Sequence, residues 1–336
     1  MSTLPLLDTL GRPLGDLRVS VTDRCNFRCR YCMPRERFGS EHAFLPRAEL
    51  LTFEELSRVV GLLKGSLRKV RLTGGEPLLR RDLPELVALL KAATSLPVAL
   101  TTNGVLLPRY AEALARAGLE RLTVSLDALE PAVFRAITDA DYTASDVLAG
   151  IEAAERAGFE RLKINCVVRR GLNESEILPL ARRFHGTGHV LRFIEYMDVG
   201  STNGWRAEQV VSAAEIIERI DRELPLEPAA RSQPSDVAAR YTYRDGGGEV
   251  GVIASMTKPF CGDCSRLRLS ADGQLFTCLF AVAGTDLRGP LRAGASDLEL
   301  SRIVQKVWEN RADRYSEQRE QLVLPKRKLE MSYLGG

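Results

Sequence analysis

The sequence predicts an α/β fold in which an open, partial TIM-like (β/α)6 barrel of six parallel strands carries a C-terminal extension. Between about residues 16 and 197, short apolar runs rich in β-branched residues alternate six times with segments of helical period. Successive strand–helix units favour a parallel sheet with right-handed crossovers. Polar or glycine-rich motifs follow the strands, at the edge where such barrels place their active sites. Six units are too few for a closed eight-stranded barrel, so we expect an open one.

The predicted strands cover residues 17–21, 69–73, 98–102, 121–126, 162–168 and 190–196. Helical patterns between them cover about residues 53–64, 82–93, 108–117, 130–137, 144–157 and 174–185. Thr52 and Glu55 form a capping box at the start of the first helix, and Gly118 and Gly158 stand where helices end. These signals support the helix boundaries on each side of the strands.

The alternation of strand and helix patterns ends near residue 200. This change divides the chain into a barrel region, residues 1–200, and a C-terminal region, residues 201–336. Residues 225–239 are rich in Pro, Ala and Ser and are interpreted as a linker or irregular segment. A hairpin is predicted with strands at 266–270 and 275–278, followed by a helix at about 297–310. A basic tail then runs to Gly335 and Gly336.

Composition places the chain among ordinary globular proteins. Of its 336 residues, 45% are hydrophobic and 27% are charged, and the formal net charge is +3. This charge is too small to require a nucleic-acid partner, and the run Lys326-Arg327-Lys328 is interpreted as a solvated part of the tail. No apolar run approaches the roughly 20 residues of a membrane span, and no signal peptide is apparent. Grouped cysteines fit a reducing compartment, so we expect a cytoplasmic protein without a membrane partner.

Cys25, Cys29 and Cys32 form the motif C-x3-C-x2-C after the first predicted strand. A four-iron cluster normally takes four thiolates, so three would leave one iron open to a small molecule. An open metal position is typical of catalytic rather than structural sites. A zinc knuckle or three unrelated core thiols are the alternatives, although the nearest histidine, His42, is ten residues away.

Cys261, Cys264 and Cys278 form a second set, C-x2-C-x13-C, which the predicted hairpin would bring together. A zinc ribbon is the main alternative, but it needs a second pair of ligands. The remaining cysteine, Cys166, lies in a predicted strand about a hundred residues away and is interpreted as a small buried thiol. We therefore predict a second [4Fe–4S] cluster with an open iron.

Several basic residues lie on predicted strands, where charge is unusual. They are Arg18, Lys69, Arg71, Lys163, Arg192, Arg266 and Arg268. A buried charge without a partner is unfavourable, so a solvated strand end is the simple explanation for any one of them. Seven together favour a shared anionic ligand, because the arginine fork matches phosphate oxygens.

The first cysteine motif, with Tyr31 before its third cysteine, resembles the radical S-adenosylmethionine (SAM) superfamily. Both cysteine triplets, the runs Gly-Gly-Glu-Pro at 74–77 and Thr-Thr-Asn-Gly at 101–104, the run 260–268 and the terminal Gly-Gly together resemble the GTP 3′,8-cyclases of molybdenum-cofactor biosynthesis. The resemblance covers essentially the whole chain.

The resemblance implies a residue set for each ligand. It places Tyr31, Gly75, Ser125 and Met197 around SAM. It places Arg18, Arg71, Thr102, Lys163 and the run Arg266, Leu267 and Arg268 at GTP, with Lys69 and Arg192 as further contacts. Gly335 and Gly336, with Arg266 and Arg268, are the residues it implies for catalysis, the tail being threaded into the site.

The resemblance also implies the reaction. SAM bound to the first cluster yields a 5′-deoxyadenosyl radical that abstracts the ribose C3′ hydrogen, and attack on guanine C8 gives (8S)-3′,8-cyclo-7,8-dihydroguanosine 5′-triphosphate. The implied partners are an electron donor and a downstream cyclic pyranopterin monophosphate synthase, and the sequence leaves open whether the chain is a homodimer. Two alternatives are kept: a peptide-modifying radical SAM enzyme with an auxiliary cluster, and a non-catalytic iron–sulfur or zinc protein that senses redox state or binds RNA.

Overall fold

A computed structural model describes residues 5–231, 233, 235–319 and 328–335. Its strands are β1 (Asp16–Ser20), β2 (Lys69–Thr73), β3 (Val98–Thr102), β4 (Arg121–Ser125), β5 (Lys163–Val168), β6 (Val190–Glu195), β7 (Leu226–Ala229), β8 (Ala239–Tyr243), β9 (Glu249–Ile253), β10 (Arg266–Leu269), β11 (Gln274–Phe276) and β12 (Thr285–Asp286). Its α-helices are α1 (Phe53–Leu63), α2 (Leu83–Ala93), α3 (Leu107–Arg116), α4 (Pro131–Thr138), α5 (Ala144–Arg156), α6 (Ile177–Phe184), α7 (Ala213–Asp221), α8 (Arg288–Arg292), α9 (Asp297–Glu309), α10 (Tyr315–Gln318) and α11 (Met331–Leu334).

The first six strands form the parallel centre of one sheet. They stand side by side in chain order, and every neighbouring pair from β1 to β6 is parallel. Each strand is followed by at least one helix. The six predicted strand–helix units are therefore confirmed, with helix and strand ends that differ by a few residues from the sequence pattern.

The sheet is larger than the prediction because the C-terminal region adds strands to both edges. Strand β10 pairs with β1 and strand β9 pairs with β6, and both pairings are parallel. The order over the described residues is β12-β11-β10-β1-β2-β3-β4-β5-β6-β9-β8-β7. It starts at β12 and ends at β7 without returning on itself, so the barrel is open. The predicted hairpin is present as β10 and β11, and the predicted C-terminal helix as α9.

Hydrophobic burial holds the strands between the helices. Val70, Leu100 and Phe193 lie on three different strands and are 0% exposed. Helix α1 starts at the predicted capping box, in which the Thr52 hydroxyl accepts from the Glu55 amide. Within the described residues, we find no helix with the length and apolar character needed to cross a membrane.

The interpretation of residues 225–239 as irregular is wrong at both ends of the segment. Strand β7 pairs antiparallel with β8, and β8 already begins at Ala239. Pro228 made a strand improbable from sequence, since proline cannot donate to a strand ladder. The structure accommodates it because β7 is the edge strand of the sheet.

Glu195, at the carboxyl end of β6, is a structural residue. It is 0% exposed, and its carboxylate accepts hydrogen bonds from the backbone N–H groups of Ala213 at 2.7 Å, Met256 at 2.7 Å and Thr257 at 2.9 Å. A single side chain therefore fixes the start of α7 and the loop that follows β9. This loop leads directly into the second cysteine set.

We expect Glu195→Gln to lower the free energy of unfolding by about 1–3 kcal/mol, because the new amide N–H₂ faces backbone donors and leaves them unpaired. Anaerobic urea unfolding of the iron-free chain measures this change. Glu112→Gln is the matched control, since Glu112 forms a surface pair with Arg116 on α3, and its effect should stay within about 0.5 kcal/mol. Equal effects of the two substitutions would show that Glu195 does not hold this loop.

Candidate active site

One cavity of about 1280 Å³ collects nearly all of the predicted site residues. Its walls include residues from the carboxyl ends of β1 to β6 and from the hairpin β10–β11. The predicted site residues that line it are Arg18, Cys25, Cys29, Tyr31, Cys32, Lys69, Arg71, Gly75, Thr102, Ser125, Lys163, Arg192, Met197, Cys261, Cys264, Arg266, Arg268 and Cys278. Both cysteine triplets therefore face the same space, although 229 positions separate Cys32 from Cys261 in the sequence.

The first cysteine loop follows β1 and is pinned to α4. Phe27 is 4% exposed and packs edge-on against Phe134, with ring centroids 6.1 Å apart. The Arg28 amide donates to the carbonyl of Thr138 at 2.8 Å, and its guanidinium donates to the carbonyl of Cys25 at 2.7 Å. Backbone and aromatic contacts therefore hold the loop against α4.

The thiols of this loop are free and held in a low-dielectric site. Burial, followed by the nearby Glu76 carboxylate, raises the pKa of Cys25 to about 12. Burial also raises the pKa of Cys29 and Cys32. Metal binding requires thiolates, so a cationic centre has to displace these protons. Three free, partly buried thiols on one wall form a donor set that fits an iron–sulfur cluster.

The glycines after β2 are required by backbone packing against the cysteine loop. A Cβ on Gly75 would lie 2.3 Å from the Arg24 carbonyl oxygen, and one on Gly74 would lie 2.4 Å from that of Thr22. Gly74 also has φ +145°, which L side chains rarely adopt. The two glycines let this turn touch the cysteine loop, so their pattern has a structural cause in addition to any ligand contact.

Glu76 connects three of the strand-end loops. It is 1% exposed and accepts hydrogen bonds from the Thr102 hydroxyl at 2.7 Å and from the Asn103 amide at 2.7 Å. Burial raises the pKa of Glu76 to about 7, against the opposing effect of these hydrogen bonds. The Thr102 hydroxyl proton is committed to Glu76, so the structure gives this predicted GTP contact a supporting role in the loop.

Tyr31 is oriented by Asp127, which lies just after β4. Its hydroxyl donates to Asp127 at 2.7 Å, and the other carboxylate oxygen accepts from the Val167 amide at 2.8 Å. Burial raises the pKa of Asp127 to about 6. Cys166 is 0% exposed and lies beside the Asp127 backbone, which confirms that it is a buried thiol.

The second triplet is assembled by the hairpin. Cys261 and Cys264 occupy a 3-10 turn before β10, and Cys278 follows β11. The Arg266 guanidinium donates to the Cys264 sulfur at 3.3 Å. Burial opposes ionisation of Cys264, but Arg266 and Arg311 outweigh it and lower the pKa of this thiol to about 6.

Neither triplet converges on a single metal position. Among the residues that the structure describes, no three His, Cys, Asp or Glu side chains form a group that could hold one metal ion. A four-iron cluster takes each thiolate on a separate iron, so its ligands need not converge on one point.

Strand register places basic side chains next to one another. Arg18 on β1 is the register partner of Arg268 on β10 and of Arg71 on β2. Like charges in such positions repel each other. Burial, followed by repulsion from Arg268, Arg266 and Arg71, holds the pKa of Arg18 well below its usual range.

The opposite wall of the cavity adds more cations. Burial and neighbouring cations lower the pKa of Lys163 to about 8 and that of Arg192 to about 9. Neutral side chains orient two of the arginines: Arg192 donates to Asn165 at 2.7 Å, and Arg71 donates to the Thr101 hydroxyl at 2.9 Å. Asp16 compensates one charge through its ion pair with Lys69 at 3.2 Å. The cavity therefore has an excess of positive charge that suits a polyanion.

Part of the C-terminal tail is inserted beside this basic group. Leu334 is 0% exposed, and the Gly335 carbonyl accepts a hydrogen bond from the Arg268 guanidinium. Gly335 has φ +73°, and a Cβ there would lie 2.6 Å from the Thr73 methyl carbon. Gly336 lies outside the described residues.

Lys328 anchors this segment, so its interpretation as solvated is wrong. Its ammonium donates to the Asp198 carboxylate at 2.9 Å and to the Tyr315 hydroxyl at 2.7 Å, and its side chain is 9% exposed. Tyr315 stacks on Phe280, two residues after Cys278, with ring centroids 4.2 Å apart. Lys326 and Arg327 lie outside the described residues.

Leu267 does not reach the cavity. Its side chain is 0% exposed and belongs to the hydrophobic core, because strand alternation turns it away from Arg266 and Arg268. A direct side-chain contact between Leu267 and a ligand is therefore not available.

Two family models match successive parts of the chain. One, described as "Radical SAM superfamily", matches residues 19–184, and the other, described as "Molybdenum Cofactor Synthesis C", matches residues 189–317. The first covers the cysteine loop at Cys25–Cys32, and the second covers the set Cys261, Cys264 and Cys278.

The chain is similar over its full length to proteins named GTP 3′,8-cyclase. The protein from Acidothermus cellulolyticus is 54% identical over 99% of this chain and 100% of its own length. The protein from Xanthomonas axonopodis pv. citri is 51% identical, again over 99% and 100%. The protein from Staphylococcus saprophyticus is 44% identical over 98% and 99%.

Solved structures show the same fold at low sequence identity. Streptococcus suis SuiB bound to S-adenosylmethionine is 14% identical with a TM-score of 0.62, over 87% of this chain and 68% of that chain. A second SuiB structure gives 15% identity and a TM-score of 0.60 over 93% and 68%. The fold, the paired family matches and the full-length identities agree: the chain belongs to the GTP 3′,8-cyclase family of radical SAM enzymes.

Proposed function

We propose that this enzyme converts GTP and SAM to (8S)-3′,8-cyclo-7,8-dihydroguanosine 5′-triphosphate in molybdenum-cofactor biosynthesis. The observation that carries the proposal is that, among the described residues, both cysteine triplets and the buried cations line the same cavity. A peptide substrate would not require this excess of positive charge. A triphosphate would, because it brings about four negative charges to the site.

Cys25, Cys29 and Cys32 would hold the cluster that the radical SAM family implies. Bound there, the cluster and SAM would supply the radical chemistry that removes hydrogen from the ribose C3′ in the proposed reaction. Tyr31, Gly75, Ser125 and Met197 line the adjoining wall and would surround SAM, partly through backbone groups. The Asp127–Tyr31 hydrogen bond keeps the loop in one orientation for this task.

Cys261, Cys264 and Cys278 would hold a second [4Fe–4S] cluster, with the guanine at its open iron. Arg18, Arg71, Lys163, Arg266 and Arg268 would bind the triphosphate, and Lys69 and Arg192 would add to them. Burial, followed by repulsion from the neighbouring arginines, lowers the pKa of Arg18. A bound polyanion would offset that repulsion.

The tail completes the proposed site. Through its carbonyl, Gly335 orients Arg268 next to the second triplet, and both terminal glycines would take part in catalysis. We assign residues 1–200 to the SAM-cleaving region and 201–336 to the region that holds the second cluster. An electron donor and a synthase that consumes the cyclised nucleotide are the partners this reaction requires.

Replacing a cysteine from each triplet tests the two-cluster assignment. We expect Cys25→Ala and Cys261→Ala each to remove about half of the iron after anaerobic reconstitution and to abolish the cyclised nucleotide. Iron analysis, together with chromatography of reactions containing SAM, dithionite and GTP, measures both effects. Cys166→Ala is the matched control and should keep the iron content and form product. A full iron content in Cys261→Ala would rule out the second cluster.

The pH dependence of GTP binding tests the role of Lys163. With a pKa of about 8, its protonated fraction falls from about nine tenths at pH 7 to about one tenth at pH 9. Since the triphosphate binds the protonated form, we expect the Kd for GTP to rise about tenfold over this range in anaerobic calorimetry without SAM.

Lys163→Arg provides the control, because arginine keeps its charge up to pH 9. Between pH 7 and pH 9, the Kd of Lys163→Arg should rise about tenfold less than that of the unmodified enzyme, because the ionisations of GTP and of Arg192 affect both proteins. Parallel pH profiles for the two proteins would remove Lys163 from the triphosphate site.

A further inference from the structure

A buried ion-pair triad lies against the turn that carries Cys261 and Cys264. Asp8 is 7% exposed, Arg12 is 3% exposed and Arg311 is 4% exposed. The Asp8 carboxylate accepts from the Arg12 Nε at 2.6 Å and from an Arg311 Nη1 at 3.4 Å. The triad joins the segment before β1 to the segment after α9.

Both arginines hold the backbone of the C-x2-C pair. Arg12 Nη1 donates to the carbonyl of Cys261 at 2.8 Å, and Arg311 Nη1 donates to the carbonyl of Cys264 at 2.6 Å. Arg12 Nη1 also donates to the Asp313 carbonyl at 2.8 Å. These bonds fix the two carbonyl groups of the turn that presents the first two thiols of the set.

Further contacts keep the triad in place. The Thr9 hydroxyl donates to the Arg311 carbonyl at 2.6 Å, and the Trp308 indole N–H donates to the Arg12 carbonyl at 3.2 Å. Trp308 is 0% exposed, and its ring lies under the Arg311 guanidinium at 4.6 Å. The N-terminal segment therefore reaches the second cysteine set through a fully packed contact.

Stability alone does not explain three buried charges, because apolar side chains of similar volume often stabilise a core as well or better. Such groups are better explained when they fix a geometry that apolar contacts cannot specify. Here the geometry is that of two cysteine carbonyls, and guanidinium forks suit it because each arginine can bind several acceptors at once.

We infer that Asp8, Arg12 and Arg311 form a clamp that positions Cys261 and Cys264 for the second cluster and places a permanent cation beside it. This inference rests on the proposed second cluster. A buried cation stabilises the reduced, more negative cluster more than the oxidised one, so Arg311 raises the reduction potential of that site. Asp313 and Arg266 are the other charged groups of this corner, and they are unchanged in the variants below.

The test uses the full chain with Cys25, Cys29 and Cys32 replaced by alanine, so that it reports the second site alone. After anaerobic reconstitution, we expect about four irons per chain in this parent. In Arg311→Gln, the reduced-to-oxidised ratio at a fixed potential should fall about tenfold, a shift of about 59 mV for a one-electron couple. Redox titration followed by electron paramagnetic resonance measures it.

Charge-conserving variants separate positioning from charge. Arg311→Lys should restore the potential of the parent. Arg12→Lys should release iron to a chelator at least tenfold faster, because a single nitrogen cannot take the places of both the Nε that binds Asp8 and the Nη1 that binds the Cys261 carbonyl. Arg58→Gln is the matched control, since Arg58 pairs with Asp297 near the surface, and it should change neither quantity. Thermal unfolding of the iron-free chains shows whether each variant is folded.

The outcomes separate the clamp from the cluster itself. A parent that binds no iron overturns the second cluster and the clamp with it. A parent that binds four irons, with potential and iron release unchanged in Arg311→Gln and Arg12→Lys, overturns the clamp alone.

Discussion

The parallel pairing of β10 with β1 is the contact on which the rest of the site depends. It joins a strand of the C-terminal region to the first strand of the barrel and sets Arg268 beside Arg18, with Arg71 next along the sheet. The same pairing carries the turn of Cys261 and Cys264 to the cavity that the first cysteine loop already faces. Without it, the two triplets would belong to separate surfaces.

This arrangement brings like charges together, and Asp16 compensates only part of their repulsion. Burial, followed by repulsion from Arg266, lowers the pKa of Arg268 to about 10. Burial, followed by the opposing effect of Asp16 and repulsion from Arg121, lowers the pKa of Arg71 to about 10. Neutral partners such as Thr101 and Asn165 orient the guanidinium groups without cancelling their charge. Burial of the apolar side chains on the same strands offsets part of this cost.

Local patterns predict the six strand–helix units and the hairpin, and they place the strand-end motifs at one edge of the sheet. They can do so because hydrophobic periodicity and turn residues are visible within short stretches of sequence. The alternation of Arg266, Leu267 and Arg268 indicates that Leu267 faces the core, because successive side chains on a strand point to opposite faces. Other features depend on partners far along the chain. No local pattern shows that Glu76 accepts a hydrogen bond from the Thr102 hydroxyl or that Gly75 packs against Arg24. The ion pair between Lys328 and Asp198 is equally invisible in the local sequence.

The long sequence separation across the β10–β1 junction has a consequence during synthesis on the ribosome. Ser265 contacts Asp16 across 249 positions, so β1 emerges long before its outer neighbour exists. Until then, one side of β1 exposes unpaired backbone groups, which are a template for association with other chains. The nascent chain of this enzyme therefore exposes that edge until the last quarter of the polypeptide begins to leave the exit tunnel.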